Sequence, residues 1–209
     1  MSLPKTCVFM SHYQRPEYTE MAIKALQEAQ EYDELVIVDD NFENIGLRNR
    51  IIDFFDYVKN KDFEVIAKMD NDCIVPKNWL NDMLTVMVNS DADILSPNVV
   101  PSNAAFTYGR DDKDGKGYRP AEIVGGLWVM KTSLIKDMYF ERHPTEGLTG
   151  AISILKQIVT EKDPKVGWVA DVTVEDVGHW SGKHKLHLKS KEHEMYSKSV
   201  GRQIAWSSM

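Results

Sequence analysis

The chain has 209 residues, 43% hydrophobic and 27% charged, which is the balance of a globular domain and excludes wholesale disorder. No apolar run approaches the roughly 18 residues of a membrane span, and Met1 to Lys5 lack a secretory pattern. The net charge of -7 is unevenly spread: Lys183, Lys185, Lys189, Lys191, Lys198 and Arg202 outnumber Glu192 and Glu194 in the tail, leaving an acidic body. Such a body does not attract a phosphate backbone, whereas its carboxylates suit a divalent cation. Cys7 and Cys73, far apart and set in or beside apolar runs, exclude a disulfide scaffold and point to a reducing cytoplasm.

Strands and helices alternate along the first hundred residues. Thr6 to Met10 is a buried strand, and Pro16 opens a helix whose Met21, Ala22, Ala25, Leu26 and Ala29 share a face. Leu35 to Val38 is the second strand, ending in Asp39-Asp40-Asn41. Gly46 precedes a helix aligned on Leu47, Ile51, Ile52, Phe55 and Val58. Phe63 to Met69 forms the third strand and stops at Asp70-Asn71-Asp72. Pro76 opens a helix carrying Trp79, Leu80, Met83, Leu84 and Met87, a stripe read as core, and Ala92 to Leu95 is the fourth strand. The order βαβαβαβ predicts an α/β fold with a mostly parallel sheet covered by helices on both faces. Beyond Pro101, Gly109 to Gly117 is a polar loop, Ile123 to Met130 a strand with Gly125-Gly126, and Ser133 to Met138 a short helix. Leu148 to Val159 is a longer helix. Val166 to Ala170 is a late strand, followed by Val172 to Val174 and then Gly178-His179-Trp180.

In a doubly wound sheet, ligands bind outside the carboxyl ends of the strands. Three polar clusters end strands here: Ser11 to Arg15, Asp39 to Asn41, and Asp70 to Asp72. At one sheet edge they would form a single acidic pocket. The chain also holds Asp91/Asp93 and Asp112/Asp114 at the same spacing, but the first pair starts a strand and the second sits in the polar loop. No glycine-rich phosphate loop is present, so a bound phosphate would be met by a metal and by Arg side chains. Carboxylates with phosphate oxygens suit Mg²⁺ or Mn²⁺, and an imidazole tilts the choice toward Mn²⁺. His184, His187 and His193 match no closed metal site among flanking lysines. Cys73 is read as packing, and His12 as structural or as pocket lining.

Asp39-Asp40, Asn44-x-Gly46 with Arg48 and Asn49, Asp70-Asn71-Asp72, Val124 to Ser133 and Gly178-His179 together resemble a GT-A-fold nucleotide-sugar glycosyltransferase of the family 2 type. The likeness covers about residues 6–180 and implies one catalytic domain over 1–180. Its nucleotide half would span about 1–100 and its acceptor half about 101–180, with 181–209 as a basic tail that closes over the site as a helix or frays. The resemblance implies that Asp39 or Asp40 holds base and ribose, framed by Ser11, Tyr13 and Arg15, with Arg48 near the ribose or diphosphate. It places Asp70 and Asn71 beside the nucleotide, Asp72 and His179 on a shared Mn²⁺ or Mg²⁺, and Gly125, Gly126 and Trp128 on the acceptor side. Glu146 is the implied base of an inverting transfer from a UDP-sugar, with Glu175-Asp176 as the rival acidic pair. The acceptor stays open among saccharide, lipid-linked sugar, protein and modified nucleic-acid base. Two other classes compete: an accessory nucleotide-sugar-binding protein on the same fold, and a nucleotidyltransferase, for which Tyr13 to Pro16 is a poor match.

Overall fold

A computed structural model describes residues 3–12, 15–40, 45–100, 117–142 and 148–178. Its strands are β1 (Thr6–His12), β2 (Glu34–Asp39), β3 (Val65–Met69), β4 (Cys73–Ile74), β5 (Ile94–Val100), β6 (Arg119–Pro120), β7 (Trp128–Lys131) and β8 (Val166–Asp176). The helices among the described residues are α1 (Pro16–Ala29), α2 (Leu47–Lys59), α3 (Trp79–Asn89) and α4 (Leu148–Lys162). The strands form one 8-stranded sheet in the order β2-β1-β3-β7-β5-β8-β4, with β6 on β8. β2, β1, β3, β5 and β8 run one way; β7, β4 and β6 run against them. The result is a single-domain α/β fold with a mixed, mostly parallel sheet.

Alternation along the strands builds two cores. In β1, Val8 and Met10 face a cluster holding Ala22 and Leu26 of α1 with Trp79, Leu80 and Met83 of α3. Cys7 and Phe9 face the other side, against Ile51, Phe54 and Phe55 of α2 and Ile154 and Leu155 of α4. Successive side chains of a strand point to opposite faces, so an unbroken apolar run requires helices on both. Phe9 stacks on Phe54 with centroids 4.8 Å apart. The Trp79, Met83 and Met87 stripe is core, at 3% exposure or less.

α1 carries the chain from β1 to β2 on one flank, and α2 carries it back past β1 to β3 on the other. That reversal opens a crevice outside the carboxyl ends of β1 and β3, where His12 and Asp70 emerge. Several sequence expectations shift. The strand expected from Ile123 begins only at Trp128, leaving Gly125 and Gly126 in the bend before it. The two late apolar runs are one long strand, β8, whose pairing with β5 shifts register between Pro97 and Asn98. The short helix expected over Ser133–Met138 is a single 3-10 turn at Thr132–Leu134. Among the described residues, no helix is long and apolar enough to cross a membrane.

Candidate functional site

β3 ends at Met69, and Asp70 to Asp72 turn sharply: the Cys73 N–H reaches back to the Asp70 carbonyl at 3.3 Å. The chain then enters β4, which pairs antiparallel with the end of β8, Cys73 opposite Asp176 and Ile74 opposite Glu175. The Val177 N–H donates to the Asp72 carbonyl at 2.9 Å, fixing the end of β8 to the turn. Asn71 donates to Thr19 Oγ1 of α1 at 2.9 Å. Three elements thereby hold a turn whose two carboxylates remain only partly exposed, 25% for the Asp70 side chain and 16% for Asp72.

Each carboxylate has a cationic partner and a glycine behind it. Lys68 of β3, fully buried, pairs with Asp70. Arg15 Nη1 donates to Asp72 Oδ2 at 3.0 Å. A Cβ on Gly126 would lie 3.1 Å from Asp70 Cγ and closer still to Oδ2; one on Gly178 would lie 2.8 Å from Asp72 Cγ and 2.9 Å from its Cβ. Backbone without side chains at these two positions is what lets the carboxylates sit where they do. Burial, followed by the charge of Asp70, pushes the Asp72 carboxyl up, opposed by Arg15 and Lys68. Burial and the charges of Asp72, Asp70 and Asp176 push the Cys73 thiol well up as well, which keeps it protonated and poorly nucleophilic.

Ligand atoms of Asp70, Asp72 and Cys73 lie within 4.8 Å of one another. With the thiol protonated, the usable donors are carboxylate oxygens, a set that fits a hard cation such as Mg²⁺ or Mn²⁺. The turn is thus a compact oxygen-donor site with its own counter-ions.

Around it, β1 and β2 bring Ser11 opposite Val38 and His12 opposite Asp39, so Asp39 ends β2 on the crevice edge and is exposed. Asp40, the other residue expected to meet base or ribose, is turned inward. It is 2% exposed and accepts Arg50 Nε at 2.8 Å and the Ile45 N–H at 3.1 Å, closing the loop into α2. Arg48, expected near the ribose or diphosphate, donates to the Glu141 carbonyl at 3.0 Å and to Ser153 Oγ at 2.7 Å, tying α2 to α4 and to the chain before it. Trp128 is fully buried against Phe55, with centroids 6.2 Å apart, and is core rather than an acceptor contact. Gly126, expected on the acceptor side, abuts the Asp70 carboxylate.

Asp93 lies at the opposite sheet edge, bound to Lys131 at 2.9 Å and to the Lys165 N–H at 2.9 Å. Glu175 and Asp176 stand beside the Asp70–Asp72 turn through the β4–β8 pairing. Tyr13, Glu146 and His179 lie outside the described residues, as do Asp112 and Asp114 and the histidines of the basic tail. Lys68 escaped the sequence reading. Its signal was a lysine inside the apolar run Val65 to Met69, two residues before Asp70.

No protein-family profile matches the sequence, and no curated protein matches it. Solved structures do. GalNAc-T7 with UDP, GalNAc and Mn²⁺ superimposes with a TM-score of 0.60 at 12% identity, covering 83% of this chain and 44% of that one. S. aureus TarS 1-349 gives a TM-score of 0.53 at 16% identity over 82% of this chain and 60% of its own. The same protein in complex with UDP-GlcNAc gives 0.53 at 15% identity, over 82% and 58%. The chain has the GT-A glycosyltransferase fold. It spans between 44% and 60% of the length of these structures. In this GT-A fold the Asp70–Asp72 turn follows β3, on the crevice that the strand order opens.

Proposed function

We propose that the chain is a metal-dependent glycosyltransferase that moves a sugar from a UDP-sugar to an acceptor hydroxyl with inversion. The observation that carries this reading is the paired-carboxylate turn at the carboxyl end of β3, cradled by Gly126 and Gly178. It is supported by the fold shared with structures holding UDP and UDP-GlcNAc. In this reading Asp39, with Ser11 and Tyr13, receives base and ribose, and Asp70 and Asn71 line the ribose and diphosphate. Asp72 holds Mn²⁺ or Mg²⁺, joined by His179, the residue after the glycine that backs the Asp72 carboxylate.

The reaction forms a bond from the acceptor oxygen to the anomeric carbon and breaks the bond from that carbon to the terminal phosphate oxygen. A divalent cation held by Asp72 would supply Lewis-acid stabilisation to the departing nucleoside diphosphate. The acceptor proton passes to a carboxylate, assigned here to Glu146, because a hydroxyl with a pKa far above neutrality needs a base in reach as it attacks. The Lys68–Asp70 pair holds Asp70 in place beside the diphosphate.

Calorimetry of UDP with Mn²⁺ and with EDTA tests the donor site; equal affinity in both would refute a metal-bridged diphosphate. Glu146→Gln should leave UDP binding intact and cut transfer by about a hundredfold or more. Unchanged transfer would move the proton to Glu175 or Asp176. UDP-sugar binding without turnover, with or without metal and acceptor, would favour an accessory binding protein, and release of pyrophosphate would favour a nucleotidyltransferase.

A further inference from the structure

The two cations of the site are not equivalent. Lys68 is fully buried in the middle of β3, flanked by β1 and β7, and cannot leave Asp70 without unpacking the sheet. Arg15 stands at the mouth of the crevice as the residue before α1. Its side chain is 20% exposed, and its backbone holds φ 54 and ψ 55, a left-handed conformation that a non-glycine residue adopts at a cost. Its guanidinium reaches 57 residues along the chain to Asp72 Oδ2, the carboxylate oxygen that also lies against Gly178. Asp70 and Asp72 together with Lys68 and Arg15 sum to no net charge.

Resting on the proposed donor site, we propose that Arg15 is an exchangeable counter-ion: it occupies Asp72 until a divalent cation takes that carboxylate, and is then released to the donor diphosphate. The exchange adds the cation's two positive charges to the site. Lys68 stays on Asp70, the divalent cation replaces the guanidinium on Asp72, and the freed guanidinium adds a fork of donors that matches phosphate oxygens. A diphosphate then meets cations where the cation-free site offers two neutralised carboxylates. No bond is made or broken in the step; one ionic partner replaces another. Binding of cation and of nucleotide is coupled through Arg15, and by linkage each should tighten the other by the same factor.

The test compares wild type with Arg15→Gln, which removes the charge, and Arg15→Lys, which keeps it, all checked for matching circular dichroism and melting. Calorimetry with Mn²⁺ alone should show Arg15→Gln binding about tenfold tighter than wild type, because no internal cation competes, and Arg15→Lys close to wild type. With Mn²⁺ saturating, UDP should bind Arg15→Gln about tenfold more weakly than wild type, reversing the order. Mn²⁺ affinity in Arg15→Gln equal to or weaker than wild type would overturn the exchange while leaving the metal site standing. Mn²⁺ binding to none of the three chains, with or without UDP, would remove the proposed donor site and the exchange together.

Discussion

Gly178→Ala is the sharpest probe of the carboxylate turn. The new Cβ would stand 2.8 Å from Asp72 Cγ and 2.9 Å from Asp72 Cβ. Carbon atoms pack at about 3.5–4.0 Å, so both must withdraw by roughly 0.6 Å or more. Rotating the carboxylate does not relieve the clash, because Asp72 Cβ is fixed to a backbone whose carbonyl is tied to the Val177 N–H at 2.9 Å. The turn has to part from the end of β8, and the Arg15–Asp72 contact, now 3.0 Å, is strained with it. Overpacking of this kind costs about 1–3 kcal/mol. For a chain of this size that is a fall of about 2–12 °C in melting temperature. Thermal unfolding of the metal-free chain reads the cost, and UDP titration with Mn²⁺ reads the lost geometry; both should change. Gly126→Ala is the internal comparison. Its Cβ would meet Asp70 Cγ at 3.1 Å and Oδ1 at 3.4 Å, with no contact to the Asp70 Cβ as close as the 2.9 Å that Gly178 would impose on Asp72. It should therefore melt closer to wild type while still weakening UDP binding. Melting within 1 °C of wild type and unaltered UDP affinity for Gly178→Ala, within error, would refute the claim that the glycine is needed for this approach.

Asp72→Asn should abolish Mn²⁺-dependent UDP binding in calorimetry. Because burial raises the Asp72 pKa, the folded chain holds that proton more tightly than the unfolded one, and its ionisation costs stability as pH rises out of the ordinary carboxylate range. The melting temperature of metal-free Asp72→Asn relative to wild type should therefore climb as pH rises above about 4, and a difference that is flat or shrinks would refute the burial argument. Arg48→Ala removes two charge-assisted hydrogen bonds between α2 and the α4 side of the fold, and should cost about 2–4 kcal/mol in denaturant unfolding. Its UDP affinity should stay within about threefold of wild type if the side chain is structural. Cys7, its thiol pushed up to about 12 chiefly by burial, and Cys73 should both resist a thiol reagent at pH 8 until the chain is denatured. Rapid labelling of either in the folded chain would contradict their burial.

The local pattern was enough to place β1, β2, β3 and the helices between them, because apolar runs and helical stripes are set by neighbours a few residues apart. It was enough, too, to put Asp70 and Asp72 at the carboxyl end of a buried strand and Asp93 at the far edge of the sheet. What the sequence could not decide was strand direction and the choice of partners. β7 is a short apolar run like the others, and only its antiparallel insertion between β3 and β5 brings Gly126 against Asp70. Asp39 and Asp40 are identical side chains one residue apart, yet the alternation of β2 and the reach of Arg50 expose one and bury the other. Arg15 and Arg48 are both arginines near a strand end or helix start. One meets a carboxylate 57 residues away; the other meets a carbonyl 93 residues away and a hydroxyl 105 residues away. A charge's role depends on what lies within a few ångströms of it in space, and separations of that size along the chain are set by tertiary packing alone.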